Sequence, residues 1–184
     1  NGRDVLVMVG SEPEYAWAGI AAALADLVQG LGVARLITLG SVPAPVRHSM
    51  KPSAFCTTSD PRLLLPGDEM LMDDIVVPAS AGTVFRTAIE EVDVPSVGYW
   101  AQVPQYVGRP YSPAIAALLT KCAAQLDVDF DLSEIRADSL DQIERLDQIL
   151  KELEKATSSI YQINGQIGHN IRSNEFLKTI MQRS

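Results

Sequence analysis

Residues 34–52 read ARLITLGSVPAPVRHSMKP, and the choice of fold turns on this stretch. Leu36-Ile37-Thr38-Leu39 is a short, dense apolar run that ends in Gly40. A run of this kind, bounded by turn signals, reads as a strand buried on both faces in a parallel sheet. The loop behind it carries three prolines and gathers Arg47, His48 and Lys51 in an otherwise acidic chain. In an open α/β sheet, ligand and partner sites lie beyond the carboxyl ends of the strands. Arg47, His48 and Lys51 are therefore the first candidate contact residues.

Upstream, residues 4–10 (DVLVMVG) form a second continuous apolar run and predict a buried strand. Ser11-Glu12-Pro13-Glu14 supplies helix-start signals. Ile20, Ala23, Leu24, Leu27, Val28 and Leu31 then recur at helical spacing before Gly30 and Gly32 end the helix. Strand, helix and strand in this order predict a right-handed βαβ unit.

Downstream, residues 53–59 (SAFCTTS) predict a strand, with Cys56 as a small buried hydrophobe. Asp68, Glu69, Asp73 and Asp74 make an acidic loop, which is read as solvated. Residues 74–78 predict a further short strand, and Ser80-Ala81-Gly82-Thr83 a tight helix entrance. Residues 95–103 (PSVGYWAQV) predict the next strand, and residues 105–111 a second loop beyond a strand end, adding Tyr106 and Arg109 to the candidate contact set. Ser112 as N-cap and Pro113 in the first turn open an Ala/Leu-rich helix to Leu126, with Cys122 structural.

Charge and composition narrow the function. The formal net charge is −8, which argues against nucleic acid, whose binding rests on clustered Lys and Arg. The excess lies wholly in residues 1–135, with 8 Lys/Arg against 16 Asp/Glu; residues 136–184 hold 7 of each. The expected organisation is an α/β domain over 1–135 and a helical tail over 136–184. No apolar run approaches the roughly 20 residues of a membrane span. With two cysteines there is no disulfide framework, and the expected location is cytoplasmic. No G-x-S-x-G, H-E-x-x-H, P-loop or G-x-G-x-x-G motif occurs, so no catalytic residue, metal or cofactor is expected.

The tail is strongly helical from Ser139. Ile143, Leu146, Leu150, Leu153, Ile160, Ile167 and Ile171 follow a heptad seam, interrupted by Thr157 and Asn164 at a-type positions. A buried Asn there favours a defined register in a two-stranded assembly. Ile143, Leu146, Leu150, Leu153, Ile160, Asn164 and Ile167 are the candidate oligomerisation residues. An amphipathic helix or hairpin docked on the α/β domain is the competing reading, and Gly165 and Gly168 weigh towards it.

Four stretches carry a family resemblance: SEPEYAW with its helix, GVARLITLGSVPAPVRHSMKP, VPASAGTVFRTAI, and PSVGYWAQVPQYVGRPYSPAIAALL. On them the first 135 residues resemble the later part of the proteasome assembly chaperone 2 family, in the bacterial form common in actinobacteria. The family's P-H-T-R-P pattern meets His48-Ser49-Met50-Lys51-Pro52 here, keeping the His and the last Pro. The resemblance implies a three-layer α/β/α fold with a mostly parallel sheet, similar to nucleoside phosphorylase/hydrolase architecture. It also implies that the family's opening strand and helix are missing from this chain, about the first third of the usual domain.

Two functional readings follow. The first is a non-enzymatic, homo-oligomeric scaffold or assembly factor with protein partners, proteasome-related by resemblance. The second is an enzyme or sensor that binds a small anionic or nucleotide-like ligand through Arg47, His48, Lys51, Tyr106 and Arg109.

Overall fold

A computed structural model describes residues 4–70, 80–108 and 110–181, with side chains in the last helix described to residue 159. The chain divides into two compact units, Asn1–Ala137 and Asp138–Ser184.

The first unit is built on a four-stranded sheet. Its strands are β1 (Leu36–Ala44), β2 (Ala54–Thr58), β3 (Glu69–Met70) and β4 (Ser96–Pro104), in the spatial order β1-β4-β2-β3. β1 and β4 pair in parallel from Leu36↔Ser96 to Ala44↔Pro104. β2 runs antiparallel to β4, and β3 is parallel to β2. Two of the three ladders are therefore parallel.

Helices α2 (Ala81–Glu90) and α3 (Ser112–Leu126) pack on the sheet, and α1 (Trp17–Gly30) packs against α2. Residues directly opposite in a ladder share a face, so Thr57 and Gly98 lie on one side and Cys56 and Tyr99 on the other. From α2, Arg86 Nη1 donates to Thr57 Oγ1 at 2.7 Å. From α3, Gln125 Nε2 donates to the Tyr99 hydroxyl at 2.9 Å. The two helices thus cover opposite faces. The core lies between β4 and α3, where Val97, Tyr99, Ala101, Ala114 and Leu118 are buried with Cys56.

Most of the local readings hold. The helix entrance at Ser80 is capped as expected, its hydroxyl accepting the Thr83 N–H. Cys56 is fully buried. The α3 entrance differs by one position: Tyr111 is the N-cap, without a side-chain cap, and Ser112 is already helical.

Two expectations fail. Gly40 does not end β1, which continues through Ala44 because β4 pairs with it along that whole length. Gly40 is instead the place where the Trp100 ring crosses β1; a Cβ there would lie 2.6 Å from the ring. Residues 4–10 form no strand, and Val5, Leu6, Val7, Met8 and Val9 are exposed, Val9 to 89%. The expected strand at 74–78 lies outside the described residues.

The last helix, α4, runs over Ser133–Met181. No helix among the described residues is long and apolar enough to cross a membrane.

Candidate functional site

β1 and β4 end side by side, at Ala44 and Pro104. The loops that leave them therefore start together, although they are far apart in sequence. A turn in the first loop is closed by the Met50 N–H donating to the Arg47 carbonyl at 3.0 Å. The second turns at once, with the Val107 N–H donating to the Pro104 carbonyl at 3.0 Å. Residues 53 and 102 complete the pinning, since the Gln102 N–H donates to the Ser53 carbonyl at 3.1 Å.

His48 joins the two loops. It is only 2% exposed. Its backbone N–H donates to the Tyr106 hydroxyl at 2.9 Å, and its Nδ1 lies 2.8 Å from the same oxygen. The Tyr106 hydroxyl thereby engages both the backbone and the ring of His48. The two rings meet edge to face, 5.9 Å apart. Tyr111, buried at the start of α3, donates its hydroxyl to the His48 carbonyl at 3.4 Å. Burial, then the neighbouring Tyr106, push the Tyr111 phenol above its ordinary pKa, so it remains a donor.

The five candidate contact residues separate into three groups. His48 and Tyr106 touch each other and build the platform. Arg47 and Lys51 are exposed beside them, together with Met50. Arg109 lies outside the described residues. The expectation of His48 as an exposed contact residue is not what the geometry offers. Its ring is part of the support, and the cations next to it present the charge.

Two other polar groupings lie elsewhere. An open cleft of about 320 Å³ sits at the opposite end of the sheet, lined by Ser59, Asp60, Arg62, Glu90 and Asp93 among others. Asp60 and Arg62 pair there at 2.8 Å. The Arg62 side chain lowers the Asp60 pKa, chiefly through its hydrogen bond. The second grouping is a buried knot around Asp68, whose carboxylate meets Lys121 Nζ at 2.5 Å and the Tyr99 hydroxyl at 3.0 Å. The acidic-loop pattern reads Asp68 as solvated, but it is buried among partners 53 and 31 positions away that no local pattern announces. Burial and the nearby Asp68 charge raise the pKa of Cys56, which lies on the same face of the sheet as Tyr99. Among the described residues, no group of three or more His, Cys, Asp or Glu side chains could hold a metal ion.

The comparisons with known proteins agree with this architecture. The structure is similar to a Mycobacterium tuberculosis protein of unknown function, at 24% identity and a TM-score of 0.71, covering 77% of this chain and 49% of that one. It is similar to a PAC2 family protein from Streptomyces avermitilis, at 28% identity and a TM-score of 0.69, covering 76% and 59%. A proteasome-assembly chaperone homologue of M. tuberculosis gives 25% identity and a TM-score of 0.73, with 80% and 63% covered. The chain thus spans between about half and under two thirds of the length of these relatives. A search of curated proteins finds no match. The PAC2 family profile matches residues 1–153, through all four strands and on into α4, and so this chain belongs to the PAC2 family.

Proposed function

We propose that this chain is a protein-interaction module of the assembly-factor kind. Its recognition face is formed by the paired loops beyond β1 and β4, and it self-associates through α4. The observation that carries this reading is the His48–Tyr106–Tyr111 lock. The lock buries the one imidazole of the site and leaves Arg47, Met50 and Lys51 exposed on a braced loop. Two cations and an apolar side chain on a preorganised loop suit a protein surface that offers carboxylates beside an apolar patch.

The similarity to a proteasome-assembly chaperone homologue supports a partner of the proteasome type. In this reading residues 1–135 form the recognition unit and residues 136–184 the association tail, acting in the cytoplasm. The alternative of a small anionic ligand keeps Arg47 and Lys51 but loses the His48 ring to Tyr106.

The double substitution Arg47→Glu and Lys51→Glu tests the proposal. Both side chains are exposed, so the thermal midpoint should stay within experimental scatter. Binding to purified proteasome core particle should weaken roughly ten-fold or more, the cost expected for reversing contact charges. Unchanged binding would remove the loops from the recognition face. A stabilisation by phosphate or nucleotide that the double variant abolishes would favour the small-ligand reading instead.

A further inference from the structure

The α/β unit has a cationic end and an acidic end. α3 runs back along β4: it starts where the Tyr111 hydroxyl meets the His48 carbonyl, beside the loops that leave β1 and β4. It finishes where Gln125 bonds the Leu63 carbonyl and the Tyr99 hydroxyl. Arg35, next to the start of β1, donates there to the Gln125 carbonyl at 3.3 Å. Residues 127–131, which leave α3, therefore lie at the end of the sheet opposite to Arg47 and Lys51. The cleft lined by Asp60, Glu90 and Asp93 is at that same end.

Residues 127–131 read DVDFD, carboxylates alternating with apolar side chains. Val128 and Phe130 are exposed, and so is Asp129 between them. The segment is held at both ends, by the Val128 N–H donating to the Ala123 carbonyl at 3.1 Å and by the buried Leu132. Asp131 turns back to accept the Ser133 N–H at 3.0 Å, with Arg136 nearby. Asp129 makes no ion pair among the described residues.

The cationic end offers the matching set. Arg35, Arg62, Arg86 and Lys121 are all bonded within the unit. Arg47 and Lys51 are exposed and make no ion pair among the described residues. Met50 and the Tyr106 ring supply exposed apolar surface beside them. The two sets do not meet within one molecule, since the nine residues of β4 hold the ends about 25 Å apart.

We infer that the loop of Arg47, Met50 and Lys51 docks on residues 127–131 of a second copy, in a head-to-tail contact. The two cations flank Asp129, and Met50 and Tyr106 rest on Val128 and Phe130. Each copy then keeps one free end of the opposite kind, so the contact builds a ring or a chain rather than closing as a pair. The inference rests on the reading of this loop as a protein-contact face, and adds a regulation to it. A docked copy covers the residues that would meet another partner, so head-to-tail assembly and recognition exclude each other.

Charge reversal on the full chain tests the contact from both sides. Arg47→Glu with Lys51→Glu spoils the loop, and Asp129→Lys spoils the segment. All three side chains are exposed, so both variants keep the native thermal midpoint. Mixing the two variants restores opposite charges across the contact, native in one direction and reversed in the other. By fluorescence anisotropy of a labelled loop variant, the mixed pair should bind roughly ten-fold more tightly than either variant binds itself. That gain should fade with added salt. Equal binding in mixed and unmixed pairs overturns the inference, because association through α4 treats all the pairs alike. A gain for the mixed pair, with no binding of purified proteasome core particle by the native chain, upholds the head-to-tail contact and removes only the proteasome as partner.

Discussion

Asp68 has a side chain only 1% exposed, and three donors hold its charge in place. Lys121 Nζ meets Oδ1, while Oδ2 accepts the Tyr99 hydroxyl and the Leu65 N–H at 2.9 Å. Burial alone would raise the carboxyl pKa; the Lys121 bond, the Leu65 N–H and the Tyr99 hydroxyl outweigh it and bring it below the ordinary value. A carboxylate with a depressed folded-state pKa stabilises the fold at every pH above its unfolded value. That stabilisation is lost as pH falls through the folded-state pKa. Asp68→Asn should therefore cost about 2 kcal/mol at neutral pH, since Lys121 keeps some solvent but loses its counter-charge. The gap between native and variant denaturation midpoints should stay constant down to the ordinary aspartate range and close below it. A gap that closes near neutrality would mean that another group carries the effect.

At the scale of elements, β1 and β4 are held at close quarters by two glycines. A Cβ on Gly98 would lie 2.8 Å from Thr38 Oγ1 and 2.9 Å from Thr57 Oγ1, the hydroxyls of the two flanking strands. A Cβ on Gly40 would meet the Trp100 ring at 2.6 Å. Gly40→Ala should push Trp100 off β1 and cost about 1–3 kcal/mol, as overpacking does. The check is a shift in tryptophan emission together with a lower midpoint; an unmoved spectrum would show that the ring does not rest on Gly40.

The same pair shows what a sequence can and cannot declare. Leu36 to Leu39 announce a strand because the signal is local. The role of Gly40 is set by a tryptophan 60 positions away, so it reads as a strand end although it lies mid-strand. The loop of Arg47, His48 and Lys51 was legible as a site from its place beyond a strand. The hydroxyl that fixes His48 comes from 58 residues downstream, and that bond was not legible. Residues 4–10 mark the converse: the apolar pattern is clear, and the environment that would bury it is not written in the pattern.

At the scale of the whole molecule, α4 carries exposed apolar side chains along one stripe. It is 49 residues long, or roughly 70 Å at the rise of an α-helix. Leu150 and Leu153 on the heptad seam are exposed, Leu153 to 56%, and Ile149 beside them is exposed as well. Ile143 and Leu146 are half-buried on the same seam. The side chains of Ile160, Asn164 and Ile167, which continue the pattern, lie outside the described residues. Ile149 lies beside the strict seam and widens the apolar stripe, a shape that helices of a bundle share with coiled-coil strands.

If this stripe is the association surface, carboxylates placed in it must be desolvated without a partner. The cost is about 2 kcal/mol or more for each, multiplied by the number of copies meeting at the seam. Leu150→Asp with Leu153→Asp in the full chain should therefore lower the subunit number measured by light scattering. The thermal transition of the α/β unit should hold its midpoint, because both positions are solvated in the single chain. An unchanged subunit number would show that α4 is not the seam. A lower number with a collapsed α/β transition would show instead that the unit depends on assembly for its stability.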